Sequence, residues 1–213
     1  MATTVEKRSL DDLRREAADC RRCDLWKLGT QTVFGEGGTG KLMLVGEQPG
    51  DVEDRAGRPF VGPAGKLLRS LLEEVGIPDE TVYVTNAVKH FKWRPAGGGG
   101  KRRIHDKPNW VEIKACSHWL SLELLAVRPK LVVCLGATAA QLLIGRSARV
   151  GALRGQLLEL EDGTPTLVTI HPSAVLRAQD EREERRAELL EDLELARATL
   201  EKLRDGKRPA GKR

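Results

Sequence analysis

Three cations and a histidine stand together in Lys101-Arg102-Arg103-Ile104-His105, directly after the run Gly97-Gly98-Gly99-Gly100. A neutral imidazole is a nucleophile, and neighbouring cations would hold it against something anionic. Four glycines give the backbone wide conformational freedom and no side chains to pack. Taken alone, the stretch reads more readily as a solvated, disordered basic loop. The rest of the chain decides between the two.

Four cysteines are the next chemistry-bearing set. Cys20 and Cys23 form a C-x-x-C pair after a helical segment, Cys116 lies in a second helical segment, and Cys134 sits in the apolar run Lys130–Gly136. In a reducing compartment, four thiols point to an iron–sulfur cluster or a tetrahedral zinc site. The alternative is that some of them are small buried hydrophobes, and Cys134 suits a strand interior in that way.

A third group emerges from the elements that must position it. Lys41–Gly46, Thr81–Asn86 and Lys130–Gly136 read as short buried strands. Gln156–Glu161 and Pro165–Ile170 flank Asp162-Gly163 as a hairpin. Helices are expected after Ser9, which has Asp12 as a capping-box partner, and over Ala64–Val75, Asn109–Val127, Ala137–Ile144 and Asp180–Arg204. Strands alternating with helices predict an α/β fold, a three-layer α/β/α sandwich around a mostly parallel four-stranded sheet. Ligands of such sheets bind at the carboxyl ends of the strands. Glu47 follows the first strand, Asn86 ends the second and His171 follows the hairpin. Each has an ordinary loop or turn reading by itself; three at equivalent strand ends make a site.

The composition is compatible with that reading. The 213 residues suit one domain over 1–204, with a basic tail over 205–213. The net charge of +5 permits an anionic partner such as nucleic acid. The segment Met1–Ser9 lacks the apolar core of a signal peptide, and no stretch has the length of a membrane span, so a cytoplasmic, membrane-independent monomer is expected.

Gly46-Glu47-Gln48-Pro49-Gly50, followed by Gly57-Arg58-Pro59-Phe60-Val61-Gly62, resembles motif A of the family 4 type uracil-DNA glycosylases. Thr85–Lys89 resembles their base-reading segment, His171–Arg177 their second catalytic motif, and the four cysteines their iron–sulfur ligands. The resemblance covers roughly Cys20 to Arg177. Two departures, Gln48 in place of a small residue and the inserted Gly-rich Lys-Arg-Arg-Ile-His segment, are similar to the UdgX branch, which captures uracil-containing DNA covalently.

The resemblance implies a role for each residue. A uracil must be extruded from the DNA stack before it can be excised. Phe60 would stack on it and Asn86 would read its edge, with Gln48 and His171 also at the base. His171 would donate to a uracil oxygen as the bond breaks, and Glu47 would face the sugar cation. His105 would then bond to the sugar in place of water. Lys101, Arg102 and Arg103 would grip phosphates or hold the loop shut; Ser173, Leu176 and Arg177 would meet DNA, Leu176 as a wedge in the vacated stack. A 4Fe-4S cluster on Cys20, Cys23, Cys116 and Cys134 would cross-link the fold, and free uracil would be the product, with single-stranded DNA accepted. A conventional glycosylase that turns over, or a cluster-bearing module without catalysis, are the competing functions.

Overall fold

The computed structural model describes residues 8–38, 40–97 and 102–205. Lys101, the last three glycines of the Gly97–Gly100 run and all of the basic tail after Asp205 lie outside the described residues. Helix α1 (Leu10–Ala18) opens on the expected cap: Asp12 N–H donates to Ser9 Oγ at 3.1 Å and Ser9 N–H to Asp12 Oδ2 at 3.4 Å. Then come β1 (Glu36–Gly37), β2 (Leu42–Gly46), α2 (Asp51–Ala56), α3 (Pro63–Glu74) and β3 (Val82–Asn86). A separate ribbon follows, β4 (Trp93–Pro95) with β5 (Arg103–His105). The second half runs α4 (Trp110–Val127), β6 (Leu131–Leu135), α5 (Ala137–Leu143), α6 (Val150–Leu153), β7 (Leu158–Glu159), β8 (Pro165–Thr169), α7 (Pro172–Arg177) and α8 (Arg182–Arg204).

The sheet order is β1-β3-β2-β6-β8-β7. Strands β3, β2, β6 and β8 are parallel, as expected for the four-stranded core. The antiparallel two-residue strands β1 and β7 extend it to six; β1 is too short to leave a periodic signal in the sequence. Strand alternation divides the core. Leu42, Leu44, Val82, Val84, Leu131 and Val133 meet α3 and α8 through Leu68, Leu71, Leu189 and Leu193. Met43, Val45, Tyr83, Val132 and Cys134 face the other way, against Leu120 of α4 and Ala139 and Ala140 of α5. With both faces covered, the sheet forms the middle layer of the sandwich.

Behind the sheet end lies a fully buried ion pair, Lys89 Nζ to Glu123 Oε2 at 2.5 Å. Tyr83 Oη, Thr85 Oγ1 and the Gly35 N–H all donate to Glu123 Oε1 at 2.9 to 3.0 Å. Burial beside that carboxylate pushes the Tyr83 hydroxyl pKa far up, so it stays protonated as a donor. Lys89 Nζ also donates to the Asn86 carbonyl at 2.8 Å, which fixes the backbone of the residue that ends β3.

The segment expected as a mobile loop is structured at its ends. Trp93 pairs with His105, Arg94 with Ile104 and Pro95 with Arg103, so His105 stands at the base of a short antiparallel ribbon. The run Gly97–Gly100 gave no sign of this pairing in the sequence, because neither flank carries a long alternating pattern.

Candidate active site

The parallel register sets Gly46 level with Asn86. The Ala87 and Val88 N–H groups then donate to the Gly46 and Glu47 carbonyls, both at 2.9 Å, which locks the two strand ends together. A cavity of about 510 Å³ opens there, and Glu47, Gln48, Phe60, Asn86, His105, His171, Ser173 and Arg177 all contribute to its wall. The sequence-predicted carboxylate, amide and two imidazoles are thus brought together.

Phe60 is buried and adopts a left-handed backbone, φ 53°, that a non-glycine residue rarely takes. Glu53 holds its loop by accepting from the Gly62 N–H at 2.7 Å and the Gly50 N–H at 3.2 Å. The ring lies near parallel to His171, with centroids 6.1 Å apart and planes at 29°. Gly46 leaves room for this: a Cβ there would sit 2.4 Å from Asn86 Oδ1 and 2.7 Å from Phe60 Cζ.

His171 ends the β8 segment and begins α7. Its Nδ1 accepts from the Ser173 N–H at 3.1 Å and lies 2.8 Å from Ser173 Oγ, which in turn accepts from Arg177 at 3.0 Å. The ring proton is therefore on Nε2. Burial, with Arg177 and His105 nearby, lowers the His171 pKa to about 4, so the ring is neutral near pH 7. It is a fixed neutral donor. Ser173 and Arg177, expected to meet DNA, orient this ring; Leu176 is half-buried on the same helix and does not contribute to the cavity wall.

His105 Nε2 lies 3.5 Å from Glu47 Oε1. Burial lowers the His105 pKa; Glu47 opposes that shift and Arg177 adds to it. The neutral ring keeps a lone pair. Thr138, at the start of α5 and almost inaccessible, donates its hydroxyl to Glu47 Oε2 in a short hydrogen bond, so the carboxylate is held from both sides. Thr138 had no sequence signal, since a threonine one residue into a helix is ordinary.

The two arginines of the Lys-Arg-Arg run part ways. Arg102 is exposed. Arg103 donates to Asp51 in a short bond, to Asp54 at 2.6 Å and to Thr30 Oγ1 at 3.2 Å. Its guanidinium carbon lies over Phe91 and Trp93, 5.3 and 5.6 Å from their ring centroids. Asp54 is fully buried, and a planar fork between two carboxylates and two rings suits arginine alone. Of the two expected roles, Arg103 takes the latch rather than the phosphate grip. Gln48 lines the same cavity, and its amide donates to the Lys92 and Asp106 carbonyls of the ribbon backbone.

The four thiols are divided. Cys20, Cys23 and Cys116 share one apolar cluster between α1 and α4. Trp119 Nε1 donates to Cys20 Sγ at 3.1 Å and the Lys89 N–H to Cys116 Sγ at 3.2 Å, donors that suit thiolate sulfur. Burial raises the Cys23 pKa, and pushes Cys116 up to about 12, with Cys23 and Cys20 adding to that rise. Cys134 belongs to the β6 core cluster, where burial alone pushes it up to about 12. Cys134 lies apart from those three, in the sheet core among Met43, Val45 and Leu120. Among the described residues, no three His, Cys, Asp or Glu side chains converge on a single-ion site. No helix among them is long and apolar enough to cross a membrane.

The family model of the uracil DNA glycosylase superfamily matches residues 34–194. A type-4 uracil-DNA glycosylase of Archaeoglobus fulgidus is 38% identical over 184 residues, 83% of this chain and 87% of that protein. One from Thermotoga maritima is 37% identical over 185 residues, 86% of this chain and 90% of that protein. A DNA polymerase of Bacillus phage SP01 matches 64% of the chain at 34% identity, through 14% of its own length.

Proposed function

This chain belongs to the uracil-DNA glycosylase superfamily and acts as a uracil-DNA glycosylase in DNA repair; from that premise we propose that it ends the reaction by capturing the sugar on His105. One observation carries the reading: a neutral imidazole stands 3.5 Å from the carboxylate of the same cavity that holds the base-stacking ring, the amide and the neutral donor.

A flipped uracil fits between Phe60 and Asn86, whose amide offers one acceptor and one donor to the base edge. The bond from sugar C1′ to uracil N1 breaks, and its electron pair leaves with the base. His171 Nε2–H donates to the uracil oxygen on which charge gathers. Glu47, held by Thr138, faces the cationic sugar. The His105 Nε2 lone pair then bonds to C1′. The other ring nitrogen releases its proton to water, and the uracil anion takes one from water. Tethering gives the ring a high effective concentration over water. Exposed Arg102 would meet phosphate, and uracil-containing DNA is the partner, single strands included.

Cys20, Cys23 and Cys116 would hold the iron–sulfur cluster that the sequence resemblance implies, joining the N-terminal segment to α4. Such a cluster serves as a cross-link when bound. Cys116→Ser therefore removes the broad visible absorbance of the purified protein, whereas Cys134→Val leaves it unchanged. Bleaching by Cys134→Val returns that thiol to the ligand set.

The capture reading is tested by mixing the protein with a uracil-containing oligonucleotide and running a denaturing gel. A shifted band that survives denaturation supports it. Full uracil release without such a band favours the turnover glycosylase instead.

A further inference from the structure

We propose that the buried Lys89–Glu123 ion pair is a positioning device for base recognition, aiming the Asn86 amide at the uracil edge and so setting how well the cavity holds uracil. The inference rests on the base-reading role of Asn86 and deepens it.

Asn86 ends β3, is 3% exposed and lines the cavity. Among the described residues no group hydrogen-bonds its amide, which leaves both ends of that amide for a base. Its direction is therefore set by the backbone that carries it and by packing against Gly46 and Phe60. The turn that follows is tied down at each residue. After the bonds of Ala87 and Val88 to the end of β2, the Lys89 N–H donates to Cys116 Sγ at 3.2 Å and the Lys89 carbonyl accepts from the Val33 N–H at 2.8 Å. The Lys89 side chain then folds back over three residues. Its Nζ donates to the Asn86 carbonyl at 2.8 Å, to Thr85 Oγ1 at 2.6 Å and to Glu123 Oε2. Each of the three ammonium protons has an acceptor, and two of the acceptors belong to the last residues of β3.

Both side chains of the pair are wholly inaccessible. Charges so placed lose their hydration, and an apolar pair of similar volume is commonly as stable or more so. Stability alone does not account for the pair. What apolar side chains could not supply is a donor fixed on the Asn86 carbonyl. Glu123 is itself held by Gly35, Tyr83 and Thr85, so the ammonium is anchored to the sheet and to α4. Uracil presents an N–H beside a carbonyl oxygen, whereas cytosine presents a bare ring nitrogen beside an amino group. The Asn86 amide meets the uracil pattern only when it lies along the base edge, and a small rotation of its backbone weakens both bonds together.

The test compares the full-length protein with Lys89→Met/Glu123→Gln, alone and on an Asn86→Ala background. Glutamine keeps an acceptor for the Gly35 and Tyr83 donors, and methionine leaves no unpaired charge. Two affinities are read: free uracil, by its inhibition of uracil release from an oligonucleotide, and an oligonucleotide carrying a tetrahydrofuran abasic site, which has no base. Uracil affinity should fall about tenfold, the usual scale of one hydrogen bond, with abasic-site affinity unchanged. Asn86→Ala should lose uracil affinity, and the pair should cost nothing further on that background. Should the double variant fail to fold, Glu123→Gln alone, which weakens the hold on the ammonium, should show a smaller loss of uracil affinity with the same selectivity. Unchanged uracil affinity in the folded variants overturns the inference. So does an equal loss of abasic-site affinity, which would make the pair a support of the whole cleft, or a full additional loss on the Asn86→Ala background. An Asn86→Ala variant inhibited by uracil like the parent removes the base-reading role itself, and the inference with it.

Discussion

His105→Ala abolishes the denaturation-resistant protein–DNA band while uracil release continues. The ring sits at the end of β5 with about half of its side chain exposed, so its loss leaves no buried cavity of the kind that unfolds a core. The groups that break the bond are untouched. His171 keeps its contacts with Ser173, and Glu47 keeps the Thr138 hydroxyl. Truncation at Cβ opens the space beside Glu47, and water becomes the trap for the sugar cation. The product changes from an adduct to a free abasic site, and the protein turns over. The check is a time course of uracil release beside a denaturing gel of the same samples. A band of unchanged yield would show that another residue makes the link.

Three strand-end residues of the proposed site were legible because each ends or follows a strand whose apolar run is plain in the sequence. Glu47, Asn86 and His171 could be placed at one sheet edge from β2, β3 and β8 alone, and the register of Gly46 with Asn86 agrees. What holds them was not legible. Arg103 finds Asp51 and Asp54 across 52 and 49 residues of chain, and no spacing rule connects them. Thr138 reaches Glu47 across 91 residues. Gln48 stood out within its motif as chemistry-bearing, yet its amide serves backbone groups 44 and 58 residues away. Cys134 is a case of the converse kind. The count of four thiols favoured a fourth ligand, whereas strand alternation puts its side chain on the face shared with Met43 and Val45, packed in the core. Contacts made late in the chain decide such cases, and they are visible only once the sheet is assembled.

His171→Ala slows uracil release by about 10²–10³-fold, the usual cost of losing one preorganised donor to a developing oxyanion. The donor here is neutral and oriented. Nδ1 is occupied as an acceptor by Ser173, so Nε2 carries the proton toward the base. In the proposed capture, adduct formation slows in step, because the bond to His105 forms only after cleavage. The pH dependence separates this role from a charged one. With its folded pKa lowered to about 4 by burial, Arg177 and His105, His171 stays neutral from neutral pH to well below the ordinary histidine value. Its donation to the base is therefore constant across that range, and a loss of cleavage with a midpoint near pH 6.5 would mean that His171 titrates there. The sign for stability follows from linkage. Below pH 6.5 the unfolded chain binds a proton at this histidine that the folded chain refuses until about pH 4, so its contribution to stability falls as the pH drops through that window and is level above it. Relative to the parent, His171→Ala should lose less stability between pH 6.5 and pH 4 in denaturant titrations. A variant that releases uracil at the parental rate would remove His171 from the leaving-group step, and one that follows the parent's stability profile throughout would show that the ring is not held neutral.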